Sequence, residues 1–149
     1  MSKCVATAEN QIAERLIAAA EAAFGRNDLP DFTIETPANR EHGDYAANAA
    51  LVWARELHAA PRAIAEKLLA AADFSGTYID KFEIAGPGFI NFFLSDSFYA
   101  DVVSEVLATG DNYGKSNFGG GRRVLVEFVS ANPTGPMHIG NGGRLWRKR

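Results

Sequence analysis

The feature that most constrains the fold lies near the end of the chain, where residues 124–141 read VLVEFVSANPTGPMHIGN. A run of β-branched and apolar residues comes first and predicts a buried strand. The Asn, Pro and Gly residues that follow predict a loop, and a helix would then start near His138. A strand that leads through a loop into a helix predicts a binding site at the end of the strand. Only eight residues follow Asn141. We therefore expect an incomplete fold whose strand lacks its parallel neighbours.

Composition indicates a soluble globular protein. The chain has 149 residues, 47% of them hydrophobic, and a mean hydropathy of -0.12. No apolar run approaches the roughly 18 residues that a membrane span needs, and the N-terminus lacks the layout of a signal peptide. Cys4 is the single cysteine, so an internal disulfide is impossible and no cysteine metal site is indicated. We expect a cytoplasmic protein that does not bind membranes.

Apolar periodicity in the first half predicts three helices and one strand. A helix is predicted over residues 8–24 and should end at Gly25. A short strand is predicted over 32–35. The second helix is predicted over 45–58 with Asp44 as its N-cap. The third opens at Pro61, where a missing N–H is tolerated, and continues to Leu69.

The next segment predicts a hairpin and a fourth helix. Strands over 78–84 and 89–94 flank the turn Gly86-Pro87-Gly88. A helix follows over 97–108, with Asp96 as a candidate cap and Gly110 as its end. The Gly-, Asn- and Ser-rich stretch 111–121 has no periodicity and predicts a linker.

The predicted fold class is therefore α+β, with helices packed on a small antiparallel sheet over residues 1–110. The linker over 111–121 would lead to the first strand and loop of a Rossmann-type α/β domain over 122–149.

Charge is distributed unevenly along the chain. The net charge is -3. Residues 1–118 contain nine Lys and Arg against seventeen Asp and Glu, whereas residues 119–149 contain six against one. An acidic first domain does not bind nucleic acid through bulk electrostatics, because phosphate contacts need local cations. Any contact with RNA would have to use a small patch.

The sequence EFVSANPTGPMHIGN (residues 127–141) resembles the signature of class I arginyl-tRNA synthetases, which carries that family's version of the HIGH motif. The matching positions stand at the family's spacing: Glu127, Phe128, Ser130, Asn132, Pro133, Pro136, His138 and Gly140. Segments 42–51, 61–69 and 83–94 resemble the family's N-terminal extra domain.

This resemblance implies an enzyme that ligates arginine to its tRNA through an arginyl-adenylate, using ATP and Mg²⁺. It assigns catalysis to His138 and Asn141, and ATP binding to Pro136, His138, Gly140 and Asn141. It assigns arginine binding to Glu127, Ser130 and Asn132, and no protein metal site. The chemistry suits these residue types, because a helix N-terminus stabilises phosphate and a carboxylate pairs with a guanidinium. The implied partners are arginine, ATP and the tRNA for arginine, whose outer corner near the D-loop would meet the extra domain. We expect a monomer.

The chain departs from the family pattern after the motif. Asn141 replaces a histidine, although an amide still donates hydrogen bonds. Beyond it, Arg144 stands one place later than the family's arginine, and the remaining residues do not continue the pattern. We therefore expect the chain to be inactive by itself, as an N-terminal piece of the enzyme.

Other interpretations stay open. The chain could be a stand-alone tRNA-binding or regulatory module derived from the extra domain. A different HIGH-bearing nucleotidyltransferase is disfavoured by Glu127 and Asn132. The segment His42-Gly43-Asp44 reads first as a helix cap and turn, and second as an RNA-contacting corner. A group of phenylalanines reads first as core and second as a base-stacking platform: Phe82, Phe89, Phe92 and Phe93.

Overall fold

A computed structural model describes residues 2–125 and shows an α+β unit. The chain divides into a unit Met1–Gly114 and a second unit Lys115–Arg149. The helices are α1 (Lys3–Phe24), α2 (Ala49–Trp53), α3 (Pro61–Ala71) and α4 (Asp96–Thr109); the strands are β1 (Ile34–Glu35), β2 (Tyr45–Ala47), β3 (Ile79–Ala85) and β4 (Phe89–Leu94). Short 3₁₀ turns occupy Arg40–His42 and Gly110–Asn112. In this part of the chain the four strands form one antiparallel sheet in the order β1-β2-β4-β3. The α+β prediction is confirmed for this unit.

The core lies between the helices and one face of the sheet. Ile12 and Leu16 of α1, Ile64 and Leu68 of α3, and Phe92 of β4 are fully buried. The inner face also carries the cross-strand row Ile34, Ala47, Ile90 and Ile84. Successive side chains of a strand point to opposite faces. Burial of Ile90 and Phe92 therefore turns Phe89, Asn91 and Phe93 to the outer face.

The first helix begins five residues earlier than predicted. It ends as expected at Gly25, which has a φ of 65° and donates its N–H to the Glu21 carbonyl at 2.9 Å. At the other end, the Glu105 carboxylate of α4 accepts the backbone N–H groups of Lys3 and Cys4 at 2.9 and 3.4 Å. It also accepts the Ser2 hydroxyl. These bonds satisfy free helix N–H groups across a hundred residues of sequence, which local periodicity does not reveal.

The helix predicted over 45–58 is wrong. Tyr45–Ala47 is instead strand β2, and the helix is restricted to Ala49–Trp53. The three β2 residues are all buried and pair with Phe92, Asn91 and Ile90 of β4. Tertiary pairing has therefore overridden the helical pattern of the alanines.

Asp44 is not a helix cap, as the sequence had suggested. One carboxylate oxygen accepts the Leu94 backbone N–H at 2.9 Å, and the other accepts the Tyr99 hydroxyl at 2.8 Å. Asp44 therefore joins the start of β2 to the end of β4 and to α4.

The remaining elements lie close to their predicted bounds. The hairpin of β3 and β4 is confirmed, as are the start of α3 at Pro61 and the end of α4 at Gly110. The first strand is shorter than predicted. Asp96 lies in the first turn of α4 rather than capping it. Within residues 2–125 no helix is both long and apolar enough to cross a membrane. The predicted strand and loop after Leu125 lie outside the described residues.

Replacing Gly43 with alanine should destabilise the unit strongly. Gly43 has a φ of 86°, and a Cβ there would lie 2.5 Å from the Phe92 carbonyl oxygen. Left-handed backbone and a clash with backbone should together cost roughly 2–4 kcal/mol. Gly25→Ala is the matched control, because its φ is 65° but no atom lies within 4 Å. It should cost about 1 kcal/mol. Urea unfolding, monitored by circular dichroism, measures the free energy of unfolding of both variants. Equal losses in the two variants would contradict the close contact at Gly43.

Stability should fall in acid because of Glu105. Hydrogen bonds from Ser2 and then from the Lys3 backbone lower the pKa of this carboxyl from 4.5 to about 2. A lowered pKa in the folded state stabilises the fold above the unfolded value and loses that effect as pH falls. The contribution should be complete above pH 4.5 and disappear towards pH 2. In Glu105→Gln, the urea midpoint of unfolding should vary less with pH between 4.5 and 2 than in the wild type. In the control Glu14→Gln, which replaces an exposed carboxylate of α1, the pH dependence should be that of the wild type. Parallel curves for the wild type and Glu105→Gln would contradict this assignment.

Candidate functional site

The candidate site lies on the outer face of the sheet. Strand pairing sets Glu35, Ala46, Asn91 and Glu83 in one row across β1, β2, β4 and β3. The neighbouring position on β4 is Phe89, which pairs with Ala85. Because Ala46 and Ala85 are small, they leave a hollow beside Asn91 on the β2 side and beside Phe89 on the β3 side.

A cavity of 410 Å³ occupies this hollow. The turn that leads into β2 forms one of its walls, and the β3–β4 turn forms another. Its lining residues are Glu35, Pro37, Ala38, His42, Ala46, Ala85, Gly86, Phe89 and Asn91. We call it the outer-face pocket. Its volume is within the range of small-ligand sites, roughly 300–1,000 Å³, and its lining combines apolar walls with a few polar groups.

Asn91 is the chemically decisive residue of the outer-face pocket. It is 3% exposed and, among residues 2–125, is the one buried residue with an amide or charged side chain. Its side-chain amide lines the pocket and makes no hydrogen bond to any residue between 2 and 125. None of the fully enclosed polar side-chain atoms in this range lacks a partner, so the amide retains access to the pocket. A buried amide normally has its donors and acceptor satisfied, and here they are available to a ligand.

The four phenylalanines considered in the sequence have different surroundings. Phe92 is fully buried, and Phe82 packs on Phe74 with 5.3 Å between ring centroids. Phe93 lies on the outer face beneath Lys81, whose Nζ is 4.7 Å from its ring centroid. Phe89 lines the pocket and contributes to no ring pair or cation–π pair among the described residues. Its ring is therefore the one available for stacking in the pocket.

The turn that leads into β2 forms one wall of the outer-face pocket and is held in place by hydrogen bonds. The Asn39 side chain accepts the Glu41 N–H at 3.1 Å and caps the 3₁₀ turn. Gly43 then approaches β4 closely, and Asp44 is bound to both Leu94 and Tyr99. Burial and the Asp44 hydrogen bond raise the pKa of Tyr99 to about 12. The Tyr99 hydroxyl therefore stays protonated as a donor at neutral pH. Of the helix cap and turn predicted at 42–44, the turn is present and the cap is not, and His42 lines the pocket.

A second concave region lies beside α1 and has a volume of 180 Å³. Trp53 lines it, but the indole N–H already donates to the Pro30 carbonyl at 2.7 Å. Arg26, also in its lining, is paired with Asp28. These groups are engaged within the protein, so the outer-face pocket is the better candidate.

The residues that the resemblance assigns to catalysis and substrates lie outside the described part of the chain. Those residues are Glu127, Ser130, Asn132, Pro136, His138, Gly140 and Asn141. Their roles remain predictions. Within residues 2–125, no three His, Cys, Asp or Glu side chains are grouped as metal ligands.

Asn91 is not among the site residues that the sequence predicts. A signal was present, since the segment FINFFL places one amide within an otherwise apolar strand. Once Ile90 and Phe92 are assigned to the core, the alternation places Phe89, Asn91 and Phe93 together on the other face. The small residues Ala46 and Ala85, which create the hollow, become neighbours only through strand register.

Comparison with known proteins defines the class of this α+β unit. Residues 6–94, more than half of the chain, match the family described as "Arginyl tRNA synthetase N terminal domain". The chain therefore belongs to the arginyl-tRNA synthetase N-terminal domain family, as the resemblance indicated.

Curated relatives are longer proteins with the same family name. The arginine–tRNA ligase of Caldanaerobacter subterraneus subsp. tengcongensis is 48% identical over 127 residues, which are 84% of this chain and 23% of that protein. The arginine–tRNA ligase of Acetivibrio thermocellus is 44% identical over 152 residues, covering 97% of this chain and 27% of the relative. The chain thus spans about a quarter of the length of these relatives.

A solved structure supports the fold. The crystal structure of arginyl-tRNA synthetase from Plasmodium falciparum aligns with a TM-score of 0.51 and 18% identity. The alignment covers 65% of this chain and 18% of the other. At this identity the likeness shows the fold alone.

Proposed function

We propose that this chain serves arginine–tRNA ligation, and that its α+β unit holds the tRNA by receiving one unpaired base in the outer-face pocket. The observation that carries the proposal is the state of the Asn91 side chain. Its amide is buried, lacks a partner among residues 2–125, and lies beside the available ring of Phe89. A base stacks on an aromatic ring and bonds to an amide through its edge.

The charge distribution favours a single base over a broad RNA surface. Residues 1–118 carry an excess of acidic side chains, so they repel a duplex backbone along most of the surface. RNA loops present unstacked bases that a protein can bind individually. Glu35 in the pocket wall also accepts hydrogen bonds from an exocyclic amino group. A pocket of this kind is suited to a tRNA loop, and the family resemblance indicates the outer corner near the D-loop.

The catalytic part of the proposal concerns residues beyond 125. His138, Gly140 and Asn141 would stabilise the phosphates of ATP, and Glu127 would pair with the arginine guanidinium. ATP, bound with Mg²⁺, would supply the adenylyl group of the activated amino acid. Pro136, Ser130 and Asn132 would complete these sites in the ligase.

A stand-alone tRNA-binding or regulatory module is the second candidate. The favouring observation is that the unit Met1–Gly114 contains its own core and both walls of the outer-face pocket. This candidate requires tRNA binding without ATP or arginine, and a biological effect without ligation.

Removing either pocket group should weaken binding of a tRNA transcript that accepts arginine. Phe89→Ala should cost roughly 5- to 100-fold in Kd, the range of one stacked base. Asn91→Ala should cost roughly 5- to 10-fold and reduce discrimination among bases. Fluorescence anisotropy with a labelled transcript measures both. Asn10→Ala and Phe24→Ala, an exposed amide and a half-buried ring of α1, are the controls. Equal Kd values for the pocket and control variants would overturn the proposal.

A polypeptide of these 149 residues should not form arginyl-adenylate. The relatives are about four times longer, and most of the groups that stabilise a transition state act together in a complete site. Arginine-dependent exchange of pyrophosphate into ATP should equal the background without protein. Exchange above background would contradict this expectation, whereas tRNA binding without exchange would agree with the proposed role.

A further inference from the structure

We infer that Lys81 contacts a backbone phosphate of the RNA whose base occupies the outer-face pocket, and that Phe93 supports this lysine rather than stacking on a second base. The inference rests on the proposed function and deepens it. It assigns separate roles to neighbouring positions of one sheet face: Phe89 and Asn91 for the base, Lys81 for the chain that carries it.

Strand register places Lys81 beside the pocket. Lys81 of β3 pairs with Phe93 of β4, and Glu83 pairs with Asn91. Positions two residues apart on a strand lie about 7 Å from one another on the same face. A lysine has a flexible four-carbon stem that ends in a point charge. Its ammonium can therefore reach a phosphate next to a base held at Asn91.

The contacts that now hold Lys81 are weak and exposed. Its Nζ lies 4.7 Å from the Phe93 centroid and 3.3 Å from a Glu83 carboxylate oxygen. The Lys81 and Glu83 side chains are 61% and 42% exposed. Exposed cation–π and ion pairs contribute little stability. Lys81 can thus exchange them for a phosphate without disturbing the fold.

Charge complementarity supports a phosphate as the partner. The outer-face positions of the strands include the carboxylates Glu35 and Glu83, and Lys81 provides the positive charge among them. Without that charge, the charged outer-face positions of the strands would be carboxylates alone. Because Lys81 also covers the Phe93 ring, the face offers stacking to one base, at Phe89.

The salt dependence of binding tests the inference. The 149-residue chain is titrated into the labelled tRNA transcript at several KCl concentrations. One phosphate contact contributes roughly 0.7–0.9 to the slope of log K against log salt. Lys81→Met keeps an apolar cover on Phe93 and removes the charge. It should reduce the slope by about that amount and leave the effect of an abasic site in the transcript unchanged.

Lys67→Met is the matched control. Lys67 also lies over a phenylalanine, with its Nζ 5.8 Å from the Phe24 centroid, but it belongs to α3 rather than the outer face. The slope of log K against log salt for Lys67→Met should equal that of the unaltered chain. Glu83→Gln frees Lys81 from its carboxylate partner and should tighten binding at low salt by about two- to five-fold, the range of an exposed ion pair.

The outcomes separate this inference from the proposed function. If Lys81→Met and Lys67→Met have the same slope as the unaltered chain while Phe89→Ala weakens binding, the lysine inference is overturned and the pocket stands. If Lys81→Met instead changes the loss of affinity that the abasic site causes, and leaves the salt slope unchanged, Lys81 acts on the base. The inference is then also overturned. If the unaltered chain does not bind the transcript, both proposals fail.

Discussion

Burial of Ile90 and Phe92 between the sheet and the helices determines the arrangement of the opposite face. Both side chains are fully enclosed, so β4 cannot change register or rotate without exposing them. Phe89, Asn91 and Phe93 are consequently held on the outer face at fixed spacing. The same core that stabilises the unit also holds the Asn91 amide, which has no partner among residues 2–125, in the lining of the outer-face pocket. A site built on a central strand is positioned more rigidly than one built on loops alone.

The wall of the pocket depends on a second set of contacts around residues 39–44. Gly43 lies so close to Phe92 that a side chain cannot be accommodated, and Asp44 binds the end of β4 and the Tyr99 hydroxyl. The turn is therefore attached to the strand that carries Asn91. Glu105 performs a comparable task at a distance, joining α4 to the start of α1. Single carboxylates thus link elements that are far apart in sequence.

Local patterns predicted the elements whose signals are local. The Gly86-Pro87-Gly88 turn, Pro61 at the start of α3, and the glycines after α1 and α4 identified their elements correctly. The alanine-rich segment from Tyr45 failed, because its helical preference is weaker than the pairing of β2 with β4. The pocket was also hidden, since Ala46, Ala85 and Asn91 meet only through strand register. The motif around His138 indicated the family, which residues 6–94 confirm independently, while its site roles remain predictions.

RNA binding at the outer face is tested most directly by a ¹⁵N NMR titration of the chain with the tRNA transcript, observed at the asparagine side-chain amides. Asn48 provides an internal reference, because its side-chain oxygen already accepts the Thr33 N–H at 2.8 Å. We predict that the Asn91 side-chain amide signals shift or broaden saturably, whereas those of Asn48 stay in place. Saturable changes confined to α1 and α3, with Asn91 unaffected, would contradict the claim that the outer face receives the RNA.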